Sequence, residues 1–237
     1  MAQKLESTIQ CEHCSTRFQS IFCHLTKNDL QLVNENKWCQ TLEKGQKLFS
    51  EGSFPQGIFC VNAGKIKVHQ MGDEGREQIV RLAKEGDVLG YRALLSGDSY
   101  TCSATALDHT SICFIPKNIF IELVEKNKDL SMQIIQLLSK NLRQAENTII
   151  HLARKTVRER MAEALLFLKE MYGVENDGST LTVCLSREEM ATLVGTATET
   201  TIRLLSEFKT NKWVDFSGKK IKILNQQELV KIAHLND

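Results

Sequence analysis

The 237-residue chain is 42% hydrophobic and 25% charged, with 2 prolines and 13 glycines, a balance that fits a folded globular protein and excludes a disordered or collagen-like one. Lys and Arg number 30 against 29 Asp and Glu, a net charge of +1, so a nucleic-acid surface would have to come from charges gathered on one face. No run approaches the ~18–20 apolar residues of a membrane span.

Met1-Ala2-Gln3-Lys4-Leu5-Glu6 lacks the apolar stretch of a secretory signal, which points to a reducing cytoplasm and no membrane partner. Cys11, Cys14 and Cys23 then fall close together in a chain with eight cysteines. A disulfide framework is not expected in a cytosolic chain of this length. Cys11-x-x-Cys14 reads instead as a metal, cluster or redox site. Residues 1–36 are expected to form a Cys-containing helical segment, with Lys27 and Asp29 on a solvated helix face. His13 and His24 read as solvated.

Residues 37–117 carry short alternating runs such as Gly57–Asn62 and Lys65–His69, punctuated by 9 of the 13 glycines. Asp73-Glu74-Gly75, between Lys65–Met71 and Glu77–Leu82, predicts a hairpin. Strands at intervals of roughly 8–12 residues predict a barrel or jelly roll. Phe49, Phe59 and Phe114 read as its core, and Cys39, Cys60, Cys102 and Cys184 as small buried hydrophobes.

Beyond Pro116 the apolar period becomes 3.6, and residues 118–153 are expected to be a dimerisation region. Ile135, Leu138, Leu142, Ala145, Ile149 and Leu152 follow one another at three- and four-residue steps, with polar residues on the other faces. So narrow a seam suits a partner helix, most simply the same helix of a second subunit. The alternative is an amphipathic helix lying on its own barrel.

Residues 154–237 read as a second unit: helix Val157–Tyr172, loop Gly173–Ser179, strand Leu181–Leu185, then helix Glu188–Val194 opened by a Ser186–Glu189 capping box. After a turn at Gly195, a second box at Thr196–Glu199 opens helix Glu199–Thr210, whose Ile202, Leu205 and Phe208 can face inward. Trp213–Phe216 and Ile221–Leu224 flank a tight turn at Ser217–Lys220. Helix, glycine turn, helix and two-stranded wing make a winged helix-turn-helix, so the whole chain is α+β.

The second helix of such a unit enters the major groove. Thr198, Glu199, Ile202 and Arg203 fall on one strip; Arg suits guanine O6 and N7, and Glu accepts from cytosine N4. A plain i, i+4 salt bridge is the alternative. Thr196, Thr200, Thr201, Lys209, Lys219 and Lys220 are candidate phosphate contacts. Nothing resembles a P-loop, nucleophile elbow or metalloprotease motif, so no enzyme is expected.

Leu185-Ser-Arg-Glu-Glu-Met-Ala-Thr-Leu-Val-Gly195 with Thr198-Glu-Thr-Thr-Ile-Arg-Leu-Leu205 resembles the DNA-binding signature of the CRP/FNR transcription regulators. Gly45–Gly52, Ile58–Val68 and Gly86–Gly90 resemble that family's cyclic-nucleotide-binding-type barrel. The resemblance implies an N-terminal double-stranded β-helix barrel, a dimerisation helix, a homodimer on palindromic double-stranded DNA, and contact with RNA polymerase. Cyclic AMP is not implied. Gly90-Tyr91-Arg92 stands where cyclic-AMP binders carry Gly-Glu-Leu, and Tyr100-Thr101 where they carry Arg-Ser or Arg-Thr.

The family's oxygen-sensing branch holds a [4Fe–4S] cluster on three N-terminal cysteines and one from the barrel. The resemblance assigns those places to Cys11, Cys14, Cys23 and Cys113, although the Cys14–Cys23 spacing is longer than the family's. Zinc on the same residues, a thiol switch, and structural cysteines with an unidentified small molecule in the barrel are the alternatives.

Overall fold

The computed structural model describes residues 9–72, 75 and 77–235, and none of the described helices is long and apolar enough to cross a membrane. The chain divides into two compact units, residues up to 71 with 80–142, and residues 72–79 with those from 143 onward.

In the first unit, Cys11–His13 and Ser15–Gln19 are 3-10 turns and Lys27–Asn36 is helix α1. Thr26 starts α1 because its hydroxyl accepts from the Asp29 N–H while the Asp29 carboxylate accepts from the Thr26 N–H, both at 3.2 Å. The strands are β1 (Trp38–Leu42), β2 (Lys47–Phe49), β3 (Gly57–Ala63), β4 (Ile66–Met71), β5 (Glu77–Ala83), β6 (Val88–Leu89), β7 (Ser103–Ala106) and β8 (Thr110–Pro116), with helix α2 at Tyr91–Ser96. Among the described residues they form two four-stranded sheets, ordered β1-β8-β3-β6 and β2-β7-β4-β5. The strands anticipated at Gly57–Asn62 and Lys65–His69 are therefore β3 and β4. Asp73 and Glu74, at the anticipated hairpin turn, lie outside the described residues.

Period-2 alternation gives each strand two faces. Phe59, Val61 and Ile112 pack between the sheets with Ile66, Leu89, Phe49 and Phe114. Ile58 and Ile115 point the other way and are covered by Ile21, Phe22, Leu25, Leu30 and Val33 from the N-terminal segment, together with Phe120 and Leu123. Each fully buried aliphatic or aromatic side chain here contributes roughly 1.5–3 kcal/mol. Gly57 permits the close β3–β8 approach: a Cβ there would strike the Ile115 carbonyl and the Phe114 ring.

Helix α3 (Lys117–Lys126) precedes α4 (Lys128–Arg154), a single 27-residue helix. Its Leu130 and Ile134 are buried.

The second unit contains α5 (Val157–Tyr172), α6 (Arg187–Val194), α7 (Thr198–Thr210), a hairpin of β9 (Val214–Ser217) and β10 (Lys220–Ile223), and α8 (Gln226–Ala233). The Ser186–Glu189 capping box forms as anticipated, with Glu189 N–H donating to Ser186 Oγ at 3.0 Å. A further box joins Thr156 and Glu159 at the start of α5.

Three local expectations are corrected. Leu181–Leu185 is not a strand; only the bridges Val174↔Leu181 and Thr180↔Lys222 form. Leu181, Val183 and Leu185 are buried alternately, so the period-2 signal reports packing without a pairing strand. The Thr196–Glu199 box is absent, and the α7 N-cap is Ala197, which makes no side-chain cap. Thr196 is used to close α6, its N–H donating to the Ala191 carbonyl at 3.0 Å, which delays the start of α7. Finally, Leu205 and Phe208 are buried as expected, but Ile202 is 48% exposed.

Candidate functional site

Gly195, with φ 73° and ψ 55°, ends α6 in the left-handed conformation and turns the chain toward α7. Thr201, Leu204, Leu205 and Phe208 seat α7 on its unit. Glu199, Ile202, Arg203 and Ser206 are left on the outer face, while Thr196, Thr198 and Thr200 are half-buried. Thr201, anticipated as a phosphate contact, is fully buried and cannot reach a backbone. Ser206 was missed, although it lies one further turn along the strip from Ile202. Arg203 and Lys219 have no ion-pair partner among the described residues, and Lys219 sits at the tip of the β9–β10 hairpin beside Gly218.

Lys209 meets Asp215 at 2.8 Å, and Lys220 meets Glu175 at 2.5 Å. Both are exposed pairs, screened by solvent, so either lysine can exchange its carboxylate for a phosphate at small cost. Arg187, at the start of α6, stacks its guanidinium 4.3 Å from the Phe216 ring centroid and so ties that helix to the wing.

On α4, Ile135, Leu138, Leu142, Ala145, Ile149 and Leu152 are all exposed, Leu142 to 62% and Ile149 to 66%. Most of this aliphatic seam is left uncovered within the chain.

The space between the barrel sheets is aromatic. Phe49 stacks on Tyr100 with ring centroids 4.0 Å apart and faces Phe59 at 5.9 Å, and Phe114 lies 5.1 Å from Phe59 and 5.0 Å from Trp38. Burial pushes the Tyr100 hydroxyl up to about 12, which keeps it neutral. The buried Tyr91 accepts a hydrogen bond from Asn141 Nδ2 of α4.

Under the N-terminal segment lies a cavity lined by Cys11, Cys14, Cys60 and Cys113, with Arg17 and Lys37 as cations. Cys14 Sγ lies 3.2 Å from Thr16 Oγ1 and 3.6 Å from Asn62 Oδ1. Burial pushes the Cys11 thiol up against the opposing pull of Lys37, and raises the Cys60 thiol well above its ordinary value. One cysteine expectation is corrected here, that for Cys39, and two of the expected ligands are placed apart from the other thiols. Cys113 is joined to Cys39 by a disulfide, so Cys39 is more than a small hydrophobe and Cys113 has no thiol to offer a metal. Cys23 does not line the cavity, and it is held through its backbone, its carbonyl accepting from Arg17 Nη1 and its N–H donating to the Ser20 carbonyl, both at 3.2 Å.

Residues 39–127 match the cyclic nucleotide-binding domain family, and residues 159–232 match the Crp-like helix-turn-helix domain family. The transcriptional activator protein anr of Pseudomonas aeruginosa is 30% identical over 225 residues, which cover 94% of this chain and 92% of the relative. The chain belongs to the CRP/FNR family of transcription regulators. The fumarate and nitrate reduction regulatory protein of Vibrio cholerae is 29% identical over 98% of this chain and 94% of its own. The solved structure of FixK2 from Bradyrhizobium japonicum shares the fold, with a TM-score of 0.75 and 24% identity over 84% of this chain and 98% of that one.

This CRP/FNR regulator is a DNA-binding protein and not an enzyme. At the two positions where the resemblance looks for ribose and phosphate contacts, its barrel has Tyr91, engaged by Asn141, and Tyr100, stacked on Phe49. Arg92 is exposed on α2. An iron–sulfur cluster or zinc ion needs about four thiolates converging on one point. Cys11, Cys14, Cys23 and Cys113 do not meet that need as disposed, and among the described residues no group of three or more Cys, His, Asp or Glu is placed to hold a metal ion.

Proposed function

We propose that the protein is a cytoplasmic homodimer that reads a palindromic operator through Glu199, Ile202 and Arg203, is not gated by cyclic AMP, and responds to the thiol state of its N-terminal cavity. The observation that carries the DNA reading is the exposed α7 strip, with a guanidinium and a carboxylate one turn apart and no ion-pair partner for Arg203 among the described residues. Thr196, Thr198, Thr200, Lys219 and Lys220 are the proposed backbone contacts, which fix register without reading sequence.

The uncovered α4 seam supports self-association, because a continuous row of exposed aliphatic side chains is stabilised by a matching row. Residues 1–36 would then serve as the cysteine segment, 37–117 as the sensor barrel, 118–153 as the dimerisation region and 154–237 as the DNA-binding domain. RNA polymerase is the partner that regulation at a promoter requires.

The thiol reading is supported by Cys11, Cys14 and Cys60 sharing one cavity with the disulfide-bonded Cys113. It is favoured over a small molecule held inside the barrel because aromatic rings fill the space between the sheets. Selection from random double-stranded DNA tests the whole reading. A palindrome with half-sites about one helical turn apart is expected, and recovery of no sequence preference would overturn it. The absorption spectrum of protein purified without oxygen tests for a cluster independently.

A further inference from the structure

Cys113 on β8 has a cysteine directly opposite on each neighbouring strand, Cys39 on β1 and Cys60 on β3. Directly opposed residues share a face of the sheet, so the three side chains form one row beneath the N-terminal segment. The Cα atoms of Cys39 and Cys113 are 4.1 Å apart, the close spacing of a non-hydrogen-bonded antiparallel pair. The peptide groups of Cys113 must then face β3, which makes Cys60↔Cys113 the hydrogen-bonded pair, spaced at about 5.5 Å. This register explains why Cys113 is bonded to Cys39 while Cys60 keeps a free thiol.

We propose that Cys39 and Cys113 form a reversible dithiol–disulfide couple that sets how many thiols the barrel presents to the cavity beneath the N-terminal segment. In the disulfide state Cys113 Sγ is bonded to Cys39, and Cys60 alone faces Cys11 and Cys14 from the barrel. In the dithiol state Cys113 joins them. With peroxide as oxidant, one thiol releases its proton and the thiolate sulfur attacks a peroxide oxygen, breaking the O–O bond; the departing hydroxide takes up that proton as water and the sulfur is left as a sulfenic acid. The second thiol then displaces the second water, so two thiols and one peroxide give one disulfide and two waters. Two equivalents of a small thiol reverse the step by exchange, ending as their own disulfide.

Both cysteines are buried, and Cys113 lines the cavity, which gives a small oxidant its approach. In a reducing compartment such a bond is transient and redox-sensing rather than a permanent staple. The signalling role of the couple rests on the proposed thiol-responsive function; its chemistry does not.

The full chain is reduced with dithiothreitol or treated with stoichiometric hydrogen peroxide, trapped with iodoacetamide, and mapped by peptide mass spectrometry. The Cys39–Cys113 peptide pair is expected after peroxide and absent after dithiothreitol, with Cys60 alkylated in both. Denatured thiol counts should fall from the full eight to the six cysteines outside the bond. Alkylation of both Cys39 and Cys113 after peroxide, or pairing of Cys113 with Cys60, would overturn the couple. Operator affinity in the two states forms a separate arm. It should differ for the wild type and not for Cys39→Ser, with Cys39→Ala as a second variant that keeps the site apolar. A couple that forms while wild-type affinity stays unchanged overturns the thiol-responsive function and leaves the couple intact.

Discussion

Arg160 on α5 donates through Nη2 to the carbonyl of Gly195 at 3.2 Å, so the turn between α6 and α7 is held from a different helix. The same guanidinium donates through Nε to Val194 at 3.0 Å and through Nη1 to Lys155 at 2.8 Å. These carbonyls end α6 and precede α5, where the helices themselves supply no donor. Arg160→Ala is expected to destabilise the DNA-binding unit by about 2–4 kcal/mol, because several charge-assisted bonds are lost together. Arg160→Lys, which cannot span all three carbonyls, should fall between. Urea midpoints measure both, and an unchanged midpoint for Arg160→Ala would refute the role.

Base reading by Arg203 predicts that Arg203→Ala loses about 1–3 kcal/mol on the preferred operator and flattens discrimination at one guanine position. Lys219→Ala should instead weaken all sequences alike and reduce the salt dependence. Titrations on specific and random duplexes separate the two. Equal losses on both duplexes for Arg203→Ala would make it a phosphate contact.

Leu142, 62% exposed on α4, predicts the oligomeric state. A carboxylate in a packed seam would be desolvated without a partner, so Leu142→Asp should give folded monomers that no longer hold two half-sites together. Sedimentation checks the mass and circular dichroism the fold. A stable Leu142→Asp dimer would place the interface elsewhere.

Cyclic AMP should produce no heat in calorimetry. Its phosphate would meet the neutral Tyr100, stacked on Phe49, and an uncompensated anion is costly to bury. A micromolar dissociation constant would contradict this.

The Thr156–Glu159 cap predicts a pH dependence. The Glu159 carboxyl is held below its ordinary value, first because it accepts the Thr156 N–H and further through the Thr156 hydroxyl, His234 and Lys155. A depressed folded-state value means the contribution is present above the unfolded value of about 4.3 and is lost as pH falls through the folded one. Glu159→Gln should therefore show a shallower fall in urea midpoint between neutral and acid pH. An unchanged slope would remove Glu159 from the acid transition.

Local periodicity was enough to read the α4 seam, the alternation of β3 and β4, the Ser186 cap and the two-stranded wing, because each depends on residues within a turn or two of one another. The exposed Arg203 strip was legible for the same reason. Thr201 was misplaced, and Ile202 was read both as inward and as part of the exposed strip, because a helix's inner and outer faces are fixed only by what packs on it; Ala197 replaced Thr196 as α7's beginning because Thr196 was already closing α6. Arg160 reaches carbonyls 34 and 35 residues away, a distance at which sequence carries no local signal. The cysteines divide along the same line. Sequence places Cys39, Cys60 and Cys113 in the barrel region, but which strands are neighbours and which opposed pairs are close is a property of the sheet. That register joins Cys113 to Cys39, 74 positions away, and leaves Cys60 free.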